Sequence, residues 1–149
     1  MSTVNPTDPQ ALAEACARAL FADDRASQAL GMVIESVSPG CATLAMPVRE
    51  DMTNGHGTCH GGFIFTLADS AFAFACNSHN RATVAQAAKI DFLRPARRGD
   101  LLRAEAREIS RGGRSGLYDV EVRRDDGELL ACFRGNSHSS DKPVVEDRT

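Results

Sequence analysis

The stretch Asn54-Gly55-His56-Gly57-Thr58-Cys59-His60-Gly61-Gly62, followed by the apolar run from Phe63 to Ser78, decides the fold of this chain. The first part is a glycine-rich loop with two histidines, and the second part predicts a helix with apolar side chains on every face. A helix without a polar face is buried, either in a protein core or in a membrane. A membrane span needs about 20 apolar residues. This run is shorter and carries a charge at Asp69, so the sequence predicts a core helix.

Asp69 is the one charged side chain in the predicted helix. A buried carboxylate costs several kcal/mol unless it is paired, hydrated or protonated. Asp69 is therefore either a catalytic group or a carboxylate satisfied by a nearby polar group. The strong signal for burial favours the catalytic interpretation.

Composition narrows the class of protein. The chain has 149 residues, of which 42% are hydrophobic and 25% charged, which fits a single globular domain over 1–149 with loose tails at 1–7 and 141–149. A net charge of −3 and the absence of Trp give no support for nucleic-acid binding. The N-terminus lacks the pattern of a signal peptide, and no membrane association is predicted. Five scattered cysteines without a C-x-x-C pair predict reduced thiols in a cytoplasmic protein.

The rest of the chain predicts a short N-terminal helix and a sheet. Asp8-Pro9 is a helix start, apolar residues from Leu12 to Leu20 recur at helical spacing, and a short turn follows over Arg25 to Leu30. Basic and polar residues at His79-Asn80-Arg81 are expected to end the long helix. Alternating or β-rich runs predict strands within 31–38, 41–48, 83–94, 101–110, 118–123 and 128–139.

Strands grouped apart from helices predict an α+β fold. We expect an antiparallel sheet of about five to six strands wrapped around one long buried helix. The edges and outer face of such a sheet need partners, which favours a homo-oligomer.

Three motifs together resemble the hotdog-fold acyl-CoA thioesterases, and within them the phenylacetic acid degradation (PaaI) type. They are the Asn54–Gly62 loop, Leu67-Ala68-Asp69-Ser70 and Asp91-Phe92-Leu93-Arg94-Pro95. The resemblance covers roughly Leu12 to Ser139. It implies a hotdog fold and hydrolysis of acyl-CoA thioesters, with coenzyme A as part of the substrate and no cofactor. It also implies a homotetramer built from dimers that share their active sites.

The resemblance assigns roles to individual residues. In these enzymes the position that matches Asp69 is the catalytic carboxylate, and the one that matches Gly61 gives its backbone N–H to the thioester carbonyl. The positions that match Asn54 and His60 help to form the pocket. Gly62 is expected beside the substrate.

The chemistry of the residues agrees with these roles. A thiolate leaves readily, so catalysis must create a nucleophile and stabilise an oxyanion. A glycine at a helix start offers an unpaired N–H and the positive end of the helix dipole. Asp69 lies about 12 Å further along the helix, so a two-fold partner would have to bring a second Asp69 to this Gly61. Asp69 would act as general base or as nucleophile, and the sequence leaves both open.

Arginines at the predicted strand ends could bind the phosphates of coenzyme A, because guanidinium geometry suits phosphate. The set comprises Arg94, Arg97, Arg98, Arg111 and Arg114. Arg94 and Arg114 are the candidates for substrate binding, although each alone is equally compatible with a solvated surface. His56, Cys59 and His60 could ligate a metal, but three donors in one loop without a second cluster predict no metal site.

One departure from the resemblance and three alternatives remain. Some relatives place a hydroxyl in the strand that faces the carboxylate, where this chain has Ala85-Gln86-Ala87, and Gln86 could take its place. The preferred substrate is an aromatic (hydroxy)phenylacetyl thioester. The alternatives are other aryl or medium-chain acyl-CoAs, a non-catalytic acyl-CoA binding or sensing module, and a dehydratase. The dehydratase is disfavoured because no His/Glu pair lies near the helix start.

Overall fold

A computed structural model describes residues 8–146 and shows an antiparallel sheet with a long helix between its second and third strands. The elements are α1 (Pro9–Asp23), α2 (Arg25–Ala29), β1 (Val33–Ser38), β2 (Cys41–Pro47), a 3-10 turn (Glu50–Met52), α3 (Gly61–Cys76), β3 (Thr83–Phe92), β4 (Leu101–Gly112), β5 (Ser115–Arg124) and β6 (Leu129–Ser139). Six strands form one sheet in the order β1-β2-β4-β5-β6-β3. The predicted α+β class is therefore confirmed. None of the helices described within residues 8–146 is long and apolar enough to cross a membrane.

Local signals in the sequence account for the starts and turns of these elements. The Asp8 carboxylate accepts a hydrogen bond from the Gln10 N–H at 3.1 Å and caps α1, where Pro9 is preorganised for the helix. The turn between β1 and β2 has Gly40 at φ +76°, and the turn between β5 and β6 has Gly127 at φ +90°. Glycine adopts these left-handed conformations without steric cost. Each of these turns joins two paired antiparallel strands and so forms a hairpin.

Helix α3 differs at both ends from the prediction. It begins at Gly61 rather than Phe63, because the His60 side chain caps it by accepting a hydrogen bond from the Gly62 N–H. The prediction that the basic and polar residues His79-Asn80-Arg81 end the helix is wrong. The helix closes at Cys76, and the Asn77 side-chain amide donates to the carbonyls of Ala73 and Thr83.

The residues after α3 tie the chain to the sheet. His79 Nε2 lies 2.9 Å from Glu108 Oε1, which also accepts a hydrogen bond from the Tyr118 hydroxyl at 2.8 Å. Asn80, at φ +63°, accepts hydrogen bonds from the N–H groups of Val144 and Val145 through its side chain. Within the expected tail at 141–149, Val144 and Val145 are thus hydrogen-bonded to Asn80. The expected tails at 1–7 and 147–149 lie outside the described residues.

The core lies between the concave face of the sheet and α3, which packs chiefly on β2, β4 and β5. The sheet does not wrap α3 completely. Gly62, Thr66, Asp69 and Ala73 follow one another at helical spacing and form a stripe that is only partly covered or exposed. Only Thr66 and Asp69 are polar in this stripe, so hydrophobic periodicity alone did not reveal it.

Strand β3 lies at the edge of the sheet, beyond β6, and is exposed from Val84 to Lys89 on both faces. The convex face of the sheet carries paired charges instead of an apolar surface. Arg134 binds Asp119 through two hydrogen bonds of 2.7 and 2.9 Å, and Arg123 contacts Glu121 at 2.7 Å. Among residues 8–146, the exposed large apolar side chains are Val84 and Phe92 on β3, Leu93 directly after it, Val33 on β1 and Ile109 on β4.

Candidate active site

The loop before α3 is held together by Asn54. Its side-chain oxygen accepts hydrogen bonds from the His56 N–H at 2.9 Å, the Thr58 N–H at 3.3 Å and the Thr58 hydroxyl at 3.2 Å. Its carbonyl accepts a hydrogen bond from the Gly57 N–H, which closes a turn at Asn54-Gly55. These bonds make Asn54 an organiser of the loop, and a contact with substrate would fall to its amide nitrogen.

The backbone at the start of α3 offers one N–H to a ligand. Gly62 donates its N–H to His60 Nδ1 at 3.1 Å, and Phe63 donates to the His60 carbonyl at 3.0 Å. Within residues 8–146, no acceptor bonds the Gly61 N–H. The N-terminal end of a helix favours negative charge. Gly61 can therefore stabilise an oxyanion, whereas the Gly62 N–H is already engaged.

His60 takes part in the site mainly as the cap of α3. Because Nδ1 accepts a hydrogen bond, the neutral imidazole carries its proton on Nε2, and this is the ring atom left to face a ligand. Cys59 packs next to it in the core, and burial, together with the charge of Asp100, raises the pKa of its thiol to about 11. No cluster of three metal-ligating side chains occurs between residues 8 and 146.

Asp69 lies on the partly covered stripe of α3. In the described part of the chain its carboxylate has neither a hydrogen-bond partner nor an ion-pair partner, and partial burial raises its pKa above the ordinary value. The alternative of a carboxylate satisfied by a local polar group thus finds no support within this subunit. An unpaired, desolvated carboxylate is a strong base and nucleophile.

A cleft of about 410 Å³ opens beside Gly61. It is lined by Cys59, Gly61, Ile64, Phe92, Leu93, Arg94 and Pro95. Sequence reasoning did not single out Ile64, Phe92 or Leu93 as site residues. Phe92 and Leu93 belong to the Asp91–Pro95 motif, and their exposure next to the loop is the signal that would have identified them.

Gly61 and Asp69 do not meet in one subunit. They are eight residues apart on one helix, a distance of about 12 Å. The cleft is lined by residues near Gly61 and does not include Asp69. A single chain therefore keeps these two candidate catalytic groups apart.

The candidate arginines are divided between the two ends of β3. Arg94 lines the cleft beside Gly61 and contacts Glu128 at 3.2 Å. Arg114 lies near Ser139, beside the start of β3, and pairs with Asp141 at 2.8 Å. Nine residue steps of β3 separate these ends by about 30 Å. One subunit thus does not bring Arg94 and Arg114 together.

Gln86 lies at an irregularity of the edge strand. The pairing of β3 with β6 shifts register between Ala85 and Ala87, so Gln86 is the bulged residue, and it is exposed. Bulges redirect side chains and often lie next to active sites. The structure keeps Gln86 available as a polar group on this strand.

Comparison with known proteins identifies the family. A sequence profile described as "Thioesterase superfamily" matches residues 56–131. The acyl-coenzyme A thioesterase PaaI of Escherichia coli K12 is 47% identical over 122 residues, which cover 82% of this chain and 87% of that protein.

Solved structures agree with the sequence comparison. The E. coli PaaI protein from the phenylacetic acid degradation operon superimposes with a TM-score of 0.90 at 43% identity, covering 91% of this chain and 99% of that chain. A mutant of the phenylacetic acid degradation protein PaaI from Thermus thermophilus gives a TM-score of 0.75 at 40% identity, covering 77% and 98%. The resemblance found in the loop and helix is confirmed. This chain belongs to the thioesterase superfamily and has its hotdog fold.

Proposed function

We propose that this thioesterase hydrolyses acyl-CoA thioesters of the (hydroxy)phenylacetyl type to the free acid and coenzyme A, in the catabolism of phenylacetate. The substrate class is supported by similarity to E. coli PaaI, an acyl-coenzyme A thioesterase, and by the phenylacetic acid degradation operon to which that protein belongs. The observation that carries the proposal is an unpaired carboxylate and an unpaired backbone N–H on one helix, at Asp69 and Gly61.

We propose that the active enzyme is a homodimer with two shared sites, and that two dimers form a homotetramer. Strand β3 is an exposed sheet edge with small side chains at Ala85, Ala87 and Ala88, which suits antiparallel pairing with a second copy. Such a two-fold arrangement would turn the partly covered stripe of α3 toward the same stripe of the partner. Asp69 of one subunit then approaches Gly61 of the other.

The reaction follows from these two groups. The thioester carbonyl oxygen accepts a hydrogen bond from the Gly61 N–H, which stabilises the oxyanion as the carbonyl carbon becomes tetrahedral. Asp69 of the other subunit either takes a proton from the attacking water or attacks the carbonyl carbon itself. The carbon–sulfur bond then breaks and the thiolate of coenzyme A leaves. In the second route, water hydrolyses the acyl–Asp69 anhydride.

The phosphates of coenzyme A lie outside this chemistry. In this proposal Arg94, which lines the cleft, binds these phosphates, and a two-fold axis through β3 would bring Arg114 of the partner subunit to the same end. No cofactor takes part in the proposed reaction. Five free cysteines support a reducing compartment, and we propose that the enzyme works in the cytoplasm.

The experiment that tests this function measures thiol release from a panel of aromatic and straight-chain acyl-CoAs. We expect Asp69→Asn to lower kcat at least about a hundredfold, the scale expected for the loss of a base or nucleophile. Asp125→Asn, an exposed carboxylate in the turn between β5 and β6, should leave activity unchanged. A wild type that binds acyl-CoAs without releasing thiol would instead identify a binding module. The rank order of the panel separates phenylacetyl from other aryl and medium-chain substrates.

A further inference from the structure

Phe92 stands directly beside the proposed oxyanion donor. It is the last residue of β3, and 53% of its surface is exposed although it is a large apolar side chain. Its ring packs against Gly61 so closely that a Cβ on Gly61 would lie 3.0 Å from the ring atom Cζ and 3.2 Å from Cε1. A thioester carbonyl that binds the Gly61 N–H must therefore place one of its two substituents near this ring.

Phe92 and its neighbours Ile64, Leu93 and Pro95 form one apolar side of the cleft, here called the apolar wall. Ile64 lies one turn after Gly61 and is buried, while Leu93 and Pro95 are exposed along the same cleft. The N–H groups of Leu93 and Arg94 both donate to the Leu130 carbonyl, at 2.8 and 3.2 Å. These two bonds hold the backbone that carries the wall, so the position of the ring is set by the sheet.

We infer that Phe92 is a residue that determines acyl specificity, with its ring forming one side of the pocket for an aromatic acyl group. This inference rests on the proposed function and adds the feature that selects the acyl group. Two aromatic rings in offset or edge-to-face contact gain about 0.5–1.5 kcal/mol beyond the burial of apolar area. A straight alkyl chain makes no such contact with the ring.

The apolar wall is better suited to contact the acyl group of the substrate than its coenzyme A arm. The pantetheine arm carries two amides and leads to phosphates, so it needs hydrogen-bond partners and cations. Ile64, Phe92, Leu93 and Pro95 offer neither. Arg94 is the one charged residue of the cleft lining, and it pairs with Glu128. The apolar part of the cleft therefore suits the apolar part of the substrate.

The test compares phenylacetyl-CoA with hexanoyl-CoA in three variants. Phe92→Leu should lower the ratio of kcat/KM for phenylacetyl-CoA to that for hexanoyl-CoA by about three- to tenfold. Phe92→Tyr keeps the ring and should retain the ratio of the wild type. Ile109→Ala removes another exposed apolar side chain, on β4 and far from the cleft, and should also leave the ratio unchanged.

Light scattering and thermal unfolding of each variant show whether a change in this ratio comes from altered specificity or from a folding defect. A folded Phe92→Leu variant that loses the same factor on both substrates, or on neither, would overturn the inference while leaving the thioesterase function intact. A wild type that releases no thiol from either substrate would overturn the proposed function and this inference with it.

Discussion

At the scale of single residues, the proposed function depends on keeping Asp69 charged where charge is disfavoured. Burial raises the pKa of the Asp69 carboxyl, and no described hydrogen bond or cation opposes this effect within the subunit. The same desolvation that destabilises the carboxylate makes it a better base and nucleophile. Gly61 is the counterpart, because its N–H has no acceptor among residues 8–146, while its neighbour Gly62 donates to His60.

The raised pKa of Asp69 predicts the acid limb of the pH profile. Asp69 acts in its ionised form, so activity is present above its pKa and is lost as the pH falls through it. We expect the midpoint of this loss in kcat/KM to lie above the ordinary aspartate pKa of about 3.9. Rates measured between about pH 4 and 8, with stability confirmed at each pH, check the prediction. Full activity down to the ordinary value would mean that Asp69 is well solvated or paired.

At the scale of elements, hydrogen bonds between buried hydroxyl groups tie α3 to α2 at the residue that follows Asp69. The Ser27 hydroxyl donates to the Asp24 carboxylate at 2.6 Å, and it lies 2.8 Å from the Ser70 hydroxyl. Ser27 therefore accepts from Ser70, and this bond links α2 to α3 one residue after Asp69. Ser27 and Ser70 are 1% and 9% exposed, so neither hydroxyl is readily satisfied by water.

Removal of the middle hydroxyl should destabilise the fold. Ser27→Ala leaves the buried Ser70 hydroxyl without its acceptor and takes a donor from Asp24, so we expect a loss of about 1–2 kcal/mol in the free energy of unfolding. Ser115→Ala, at an exposed position of β5, should change it by less than about 0.5 kcal/mol. Denaturant unfolding followed by circular dichroism measures both. Equal stability of the two variants would show that the hydroxyl chain contributes nothing.

The elements also show how far the sequence could be interpreted. The apolar run and Asp69 predicted α3 and its burial, and alternating patterns predicted the strands. The two-residue error at the start of α3 came from the His60 cap, a contact through a side chain that is an uncommon N-cap. The contact of Phe92 with Gly61 joins residues far apart in the chain. It depends on the order of strands in the sheet, which local patterns do not encode.

At the scale of the whole molecule, one subunit keeps the groups of the proposed site apart. Gly61 and Asp69 lie about 12 Å apart along α3, and Arg94 and Arg114 lie at opposite ends of β3. A two-fold axis that pairs β3 with a second β3 exchanges the ends of the strand. The same two-fold rotation would bring Gly61, at the start of one helix, toward Asp69 in the middle of the partner's helix. It would also bring Arg94 of one subunit toward Arg114 of the other.

This geometry predicts that activity requires the β3 edge. Ala88 is exposed near the middle of β3 and pairs with Gly135, on the face of the sheet that carries α3. Ala88→Arg would place a charge at the expected interface, so we expect dissociation into folded monomers and loss of thioesterase activity. Thr43→Arg lies opposite Glu105 in the β2–β4 pair and should leave assembly and activity intact. Light scattering gives the mass, and circular dichroism confirms folding. A folded Ala88→Arg monomer with full activity would show that one chain forms a complete site, and the approach of Asp69 to Gly61 would then need a bend in α3.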